Sequence, residues 1–539
     1  MSAPVSVRTR PGRPVSVPED ANKQINIRTH LAGVESSPSV RQSELGPFLL
    51  NMARETIFSG GDPKKALDYA VRATEYFKSC PDTGLELAMS LQALATIYSH
   101  MGQLEEAVLA LERSIRVTDP ENGSDHALAN FSGCMQLGDT YTMLGQLDCS
   151  ISCYESGLRI QTQTLGEFHP KVAETCRYIA ETYIQAMQFD EAERLCKKIL
   201  EIHHRHSSPA SMEEAADRRL LALAYEAKGN YDSALDQLVL ASISMVANGR
   251  EDEVASIDVS IGNIFLSLCR FQEAVFSYQK ALTAFKSKKD ENNPCVASVY
   301  IHLANLYYKT GKTRESKSCC ENALRIYAKP ANGTLPEEIA KGLTEVSSIY
   351  ESLNEHERAL ELLSQAINLL HDKPANSTTV AGIEAQMGVI FYIMGRYRES
   401  RSSLKSAVEK LSSNGESRTA FFGIVVNQMG LACLQMYRIG EAAELFELAR
   451  TILEEECGPI HSDTLGVYSN LAATYDAMGR IEDAIEILEH ILKAREEKAG
   501  IPDFNEEKKR LIELLKESGK PRIKKKRPLK KLIGSSFRF

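Results

Sequence analysis

Tryptophan is absent from all 539 residues, and no stretch approaches the roughly 18 consecutive apolar residues that a membrane-spanning helix requires. The opening residues, MSAPVSVRTRPGRPVSVPED, lack the apolar core of a secretory signal, which points to the cytosol or nucleus. The first 46 residues also lack apolar a/d heptads, so no coiled coil is expected there. No P-loop, G-x-S-x-G elbow, HExxH helix or dinucleotide-binding glycine fingerprint occurs. His356-Glu357 begins like a zinc-protease motif but has no second histidine. His203, His204 and His206 in EIHHRH read as a solvated helix end before a Ser-Ser-Pro loop, without acid or thiol companions at ligand spacing. No enzyme activity, metal or cofactor is expected.

What the chain does have is a period. A small residue recurs at Ala95, Gly138, Ala180, Ala222, Gly262, Ala304, Ser347, Gly388, Gly430 and Ala472, in steps of 40 to 43. Three residues later stand Tyr98, Tyr141, Tyr183, Tyr225, Phe265, Tyr307, Tyr350, Phe391, Cys433 and Tyr475. Twelve residues after the first small residue comes a second: Ala107, Ser150, Ala192, Ala234, Ala274, Ser316, Ala359, Ser400, Ala442 and Ala484. Each unit therefore reads as two helices that approach closely at the small residues, with the aromatic filling the groove beside them. Glycines at Gly102, Gly145, Gly229, Gly311, Gly395 and Gly479 fall between the two helices, where a chain reversal needs positive φ. Neither helix can bury its apolar stripe alone, so units must stack. A chain of this length is too long for one compact core, and stacking removes the difficulty.

Twelve cysteines form no CxxC pair. Cys134, Cys176, Cys196, Cys320 and Cys433 occupy packing positions of the repeat, where a free thiol serves as a small apolar filler.

The pattern resembles the tetratricopeptide repeat, lengthened from its usual period of about 34 residues. That resemblance implies an all-α, right-handed superhelical solenoid. Segments such as LGEFHPKVAETCRYIAETY (165–183), NPCVASVYIHLANLYYKTGK (293–312) and CGPIHSDTLGVYSNLAATYDAMGRIEDAIEILEHIL (457–492) resemble kinesin light chain repeats with their LG-x-x-HP-x-VA lead. Four segments are expected: a disordered Pro/Ser-rich stretch over 1–46, about eleven units over 47–502 (the first degenerate), a capping helix over 503–519 and a basic tail over 520–539. In the capping helix, Leu511, Leu514 and Leu515 are expected to face inward.

Two surfaces are candidates for binding. In a tetratricopeptide superhelix the first helix of each pair lines the inner face. The slots three before and one, four and five after the first small residue include Arg177, Arg219, Asn263, Asn305, Tyr308, Lys309 and Asn427. Asparagines there would hold the backbone of an extended peptide, and cations would meet acidic side chains. The second surface is the tail. Lys520, Arg522, Lys524, Lys525, Lys526, Arg527, Lys530 and Lys531 stand together without an acid. The net charge of −9 divides into +2 for 1–46, +9 for 520–539 and −20 for the repeats between. Such a tail suits a polyanion: acidic tubulin tails, anionic lipid at the plasma membrane or RNA. A nuclear import signal is the competing reading. No aromatic alternates with the cluster, so base stacking is not expected, and DNA is not an expected partner.

The head, the long array of light-chain-like units and the basic tail together resemble the plant kinesin light chain-related proteins, also called cellulose synthase–microtubule uncoupling proteins. That resemblance implies a non-motor scaffold on cortical microtubules, holding them in place as cellulose synthase moves and cell wall is laid down. It also implies IQ-domain calmodulin-binding scaffold proteins as partners. The light chain resemblance alone implies a cargo adaptor that binds kinesin heavy chain, and the basic tail leaves open a nuclear or RNA-associated regulator.

Overall fold

A computed structural model describes residues 45–80, 83–206, 211–288, 291–370, 376–497 and 505–518. Those residues are helical apart from short turns, and the chain divides into two compact units at Ala281/Leu282. In the first unit α1 (Leu45–Phe58) pairs with α2 (Pro63–Ser79), α3 (Gly84–His100) with α4 (Leu104–Val117), and α5 (Ser124–Met143) with α6 (Leu147–Leu165). Next come α7 (Pro170–Gln185) with α8 (Phe189–His206), α9 (Met212–Ala227) with α10 (Tyr231–Ala247), and α11 (Glu251–Ser267), which leads into α12 (Phe271–Lys288), the helix containing the division. The second unit pairs α13 (Pro294–Lys309) with α14 (Thr313–Ala328), α15 (Pro336–Ser352) with α16 (His356–Leu370), and α17 (Ser377–Ile393) with α18 (Tyr397–Ser413). It ends with α19 (Ala420–Gln435) and α20 (Ile439–Cys457), α21 (Ser462–Met478) and α22 (Ile481–Glu497), and the single helix α23 (Asn505–Ser518). Within each unit the second helix of a pair packs on the first helix of the next, the arrangement of a tetratricopeptide-type solenoid.

All ten first small residues and all ten second ones are buried. At two of the three second-slot serines the approach gives a bond across the pair: Ser150 Oγ donates to the Gly138 carbonyl and Ser316 Oγ to the Ala304 carbonyl, both at 2.8 Å, whereas the buried Ser400 Oγ has no hydrogen-bond partner among the described residues. A third slot, sixteen residues after the first, completes the contact and in most pairs answers it in size, Gly388 with Leu404 being the exception. Glycine at 138, 262 and 430 faces an aromatic ring at Tyr154, Tyr278 and Phe446, and a Cβ on Gly262 or Gly430 would lie 2.5 or 2.6 Å from the ring. Alanine at 95, 222 and 472 stands with leucine at 111, 238 and 488. The alanines at 180 and 304 stand with Cys196 and Cys320. Burial pushes the thiols of Cys134 and Cys176 up to about 11 and those of Cys196 and Cys320 up to about 12, so they remain neutral apolar fillers.

The aromatic three residues on does more than fill the groove of its own pair. Tyr141, Tyr183 and Tyr475 donate their hydroxyls back to Glu112, Glu155 and Glu447 on the second helix of the preceding pair, at 3.4 and 2.7 Å for the first two. The chain reversal inside the pairs carries glycine at φ near +75° in six cases, including Gly102 and Gly145. Met187, Cys269, Asn354 and Tyr437 hold the same left-handed position without glycine, a conformation that costs roughly 1–2 kcal/mol for a residue bearing Cβ.

The lead into the first helices has a capping logic. His169 Nδ1 accepts from the Lys171 N–H at 3.2 Å, and Asn293 Oδ1 accepts from the Cys295 N–H at 3.0 Å. A proline follows each cap at the first helical position, and the buried Val172/Ala173 and Val296/Ala297 come next. At the far end α23 buries Leu514 and half-buries Leu511, while Arg510 pairs with Asp476 of α21. Leu515 differs from its expected inward placement: it is 47% exposed, beside Ile512 at 52%, while Leu514 alone of α23 is fully buried among the described side chains. No helix of the described residues is long and apolar enough to cross a membrane.

The size match predicts that Gly138→Ala, which drives a methyl into the Tyr154 ring, destabilises the array by about 1–3 kcal/mol. Adding Tyr154→Leu recreates the alanine–leucine combination found in three other pairs and should recover most of that loss. Thermal unfolding followed by circular dichroism checks both variants.

Candidate protein-binding face

The seven first-helix residues do not form one open surface. Three of them share the slot three residues before the first small residue, and all three are taken up by the next first helix. Arg177 on α7 donates to both oxygens of Asp217 on α9, at 2.5 and 2.8 Å. Arg219 on α9 reaches Glu253 on α11 at 2.9 Å. Asn427 on α19 accepts from Asn470 Nδ2 on α21 at 2.9 Å. Gln92, at the same slot of α3, likewise donates to the Ala129 carbonyl of α5 at 2.8 Å. The slot therefore links successive pairs.

Asn263 is engaged within its own pair: Tyr278, the aromatic packed on Gly262, donates its hydroxyl to Asn263 Oδ1 at 2.6 Å. Tyr154 makes the equivalent bond to Asp139 at 2.5 Å. Phe446, packed on Gly430, has no hydroxyl, and the matching position is Leu431. The acceptor is present where the ring has an OH to place, as a buried hydroxyl requires.

Asn305, Tyr308 and Lys309 remain. They lie at i, i+3 and i+4 on α13, so they share one face. Tyr308 and Lys309 are exposed and Asn305 is half-buried, and no side-chain hydrogen bond or ion pair engages them among the described residues. This amide, phenol and ammonium can together meet a peptide backbone, an apolar side chain and a carboxylate. In the first unit the corresponding open group has the opposite sign. Glu226, four residues after the first small residue of α9, is half-buried with no side-chain hydrogen bond or ion pair among the described residues, and burial pushes its carboxyl up.

Further first-helix bridges of the second unit use neutral amide donors. Gln386 Nε2 on α17 donates to Ser348 Oγ at 3.0 Å and Glu351 at 3.3 Å on α15, and Gln435 Nε2 on α19 donates to the Tyr392 hydroxyl at 3.1 Å. Such bridges fix the spacing of neighbouring first helices and hence of any groove between them.

The histidine cluster is corrected. His203 lies inside α8, is buried, and its Nε2 sits 2.8 Å from Asp217 Oδ2. It has an acidic companion after all, fourteen residues on in the chain and wholly buried. His204 and His206 are exposed. Arg177, Asp217 and His203 thus form a three-helix polar knot among α7, α8 and α9. No group of three or more His, Cys, Asp or Glu side chains placed to hold a metal ion occurs among the described residues. The eight tail cations, from Lys520 to Lys531, lie outside the described residues.

Tetratricopeptide repeat profiles match residues 87–127, 253–329 and 423–497. Protein KINESIN LIGHT CHAIN-RELATED 1 of Arabidopsis thaliana is 60% identical over 516 residues, covering 93% of this chain and 85% of the relative. Protein KINESIN LIGHT CHAIN-RELATED 2 of the same organism is 54% identical over 501 residues, covering 92% and 76%. Among solved structures, BtubC (BKLC) from P. vanneervenii matches at 24% identity and a TM-score of 0.35, over 41% of this chain and 90% of that one.

Asp217→Asn removes the charge that both Arg177 and His203 face. Breaking a buried pair in this way is expected to cost about 3 kcal/mol, and in a nearest-neighbour array the loss should be local. Amide hydrogen exchange should accelerate in α7–α9 and remain unchanged in α19–α22; equal exchange everywhere would show that the knot contributes nothing. With these repeats, this first-helix chemistry and these relatives, the chain belongs to the kinesin light chain-related protein family.

Proposed function

We propose that this chain is a non-enzymatic scaffold, a helix-pair array that binds protein partners on its first-helix faces and anchors to microtubules through its basic C-terminal tail. Charge separation is the observation that carries the reading: eight cations without an acid over 520–531, against a net −20 over 47–519. At about 1 kcal/mol per basic residue near an anionic surface, the tail supplies several kcal/mol of salt-sensitive attraction. The acidic tails of tubulin are such a surface. The open face of α13, with Asn305, Tyr308 and Lys309, would then take an extended acidic peptide from a partner.

The names of the relatives support a cytoplasmic, cytoskeleton-associated protein. Within that frame the chain would sit on cortical microtubules at the cell periphery and hold them against the forces of moving cellulose synthase during cell-wall deposition. IQ-domain calmodulin-binding scaffold proteins would be its companions. Those names also favour a second reading, a light-chain-like cargo adaptor that captures kinesin heavy chain. A nuclear or RNA-associated scaffold is the third, resting on the tail alone. Anionic lipid would compete for the same tail.

Purified full-length protein is expected to co-sediment with microtubules. Converting the eight tail cations to glutamine should weaken binding about tenfold or more at moderate salt. Unchanged sedimentation of that variant would move the contact to the array. Capture of kinesin heavy chain by the same preparation, without microtubule binding, would favour the adaptor.

A further inference from the structure

The outward face of α10 is unlike that of any other second helix. Val239, Leu240, Ile243 and Val246 follow helical spacing and are 48, 41, 57 and 62% exposed. Among the described residues every other second helix exposes at most one large apolar side chain. The opposite side of α10 already buries Ala234, Leu238, Ala241 and Met245 in the core of its pair, so the outer four are surplus to folding. One turn towards the N-terminus, Asp232 and Asp236 continue the same stripe, both exposed and neither in a hydrogen bond or ion pair among the described residues. The whole stripe, two carboxylates followed by four aliphatics, runs about 21 Å along the helix. Contiguous exposed apolar surface of this kind on a soluble helix marks an interaction site.

The chain itself contains a segment of reciprocal character. Residues 527–539, RPLKKLIGSSFRF, carry Leu529, Leu532, Ile533 and Phe537 beside Arg527, Lys530, Lys531 and Arg538, with no acid. Apolar side chains in it match the aliphatic half of the α10 stripe, and its cations match the two unpaired carboxylates. A second copy of the chain can supply this segment whatever the placement of the two units within one chain.

We propose that residues 527–539 of one copy dock on the Asp232–Val246 stripe of another, giving a head-to-tail contact between copies of this chain. Such a contact is heterologous: each copy uses a different surface, so it adds copies in series unless a ring closes. It also draws Arg527, Lys530 and Lys531 away from any polyanion, so self-association and polyanion binding compete for one tail. The contact does not depend on which polyanion that is.

Sedimentation velocity of the full-length protein at low ionic strength should show average mass rising with concentration. Ile243→Glu/Val246→Glu alters two exposed positions and should leave the circular dichroism melt unchanged while weakening association about tenfold or more. Leu532→Glu/Ile533→Glu should do the same from the other side. A fluorescein-labelled peptide of residues 527–539 should bind the tail variant and fail to bind the α10 variant. A wild-type chain that stays monomeric at every concentration, association that survives the α10 variant, or equal peptide binding by both variants would each overturn the proposal.

Discussion

The architecture depends on how closely two helices can approach at a pair of small residues twelve positions apart. Alanine, glycine or serine at the first place and alanine or serine at the second bring the backbones near enough for Ser150 and Ser316 to reach carbonyls on the opposite helix. That spacing then dictates the side chain sixteen residues on. Three of the four glycines admit a ring and Gly388 faces Leu404, whereas each of the five alanines stands with leucine or cysteine. Native-like packing density leaves no slack at such a contact, so the two positions must change together. The distance between pairs is fixed by the same geometry, because Tyr141, Tyr183 and Tyr475 can reach the preceding pair only if the second helices hold their place.

Linkage between neighbours is also where most first-helix polar chemistry goes. Arg177, Arg219, Asn427 and Gln92 occupy one slot and serve one purpose, bridging to the next first helix. Consequently the array is stiffened pair by pair, and open recognition groups stand beside these bridges. On α13 they are an amide, a phenol and an ammonium; on α9 the open group is the Glu226 carboxylate, displaced upward in pKa by burial. An acidic array with open first-helix groups and a cationic tail suits a molecule held by the tail that holds others along its length.

Much of this was legible in the amino-acid order, because the determinants are local. The period, both small slots, the reversal glycines and the Asn/His-Pro caps each act within one pair, and a sequence displays them directly. Polar fates were less legible. Arg177 looks the same in sequence whether it meets a ligand or Asp217, and the acid lies forty residues away on another pair. His203 looked solvated for the same reason, since its partner is contributed by α9. A search for acids roughly one period downstream of each slot would have found Asp217 and Glu253. Reversals at Met187, Cys269, Asn354 and Tyr437 depart from glycine without a signal in the flanking residues; the surrounding helices impose the left-handed turn there. Leu515 shows the limit of helical periodicity, which marks an apolar side chain but not how wide a stripe its neighbour can cover.

The most direct test of the scaffold account is where the full-length protein goes in plant cells whose microtubules are marked, compared with a variant neutralised at the eight cations between Lys520 and Lys531. A tail-anchored scaffold should decorate stationary filaments at the cell cortex in register with microtubules, and the neutralised protein should become diffuse. Full-length protein confined to moving puncta or to the nucleus, or filament decoration that survives neutralisation, would contradict it.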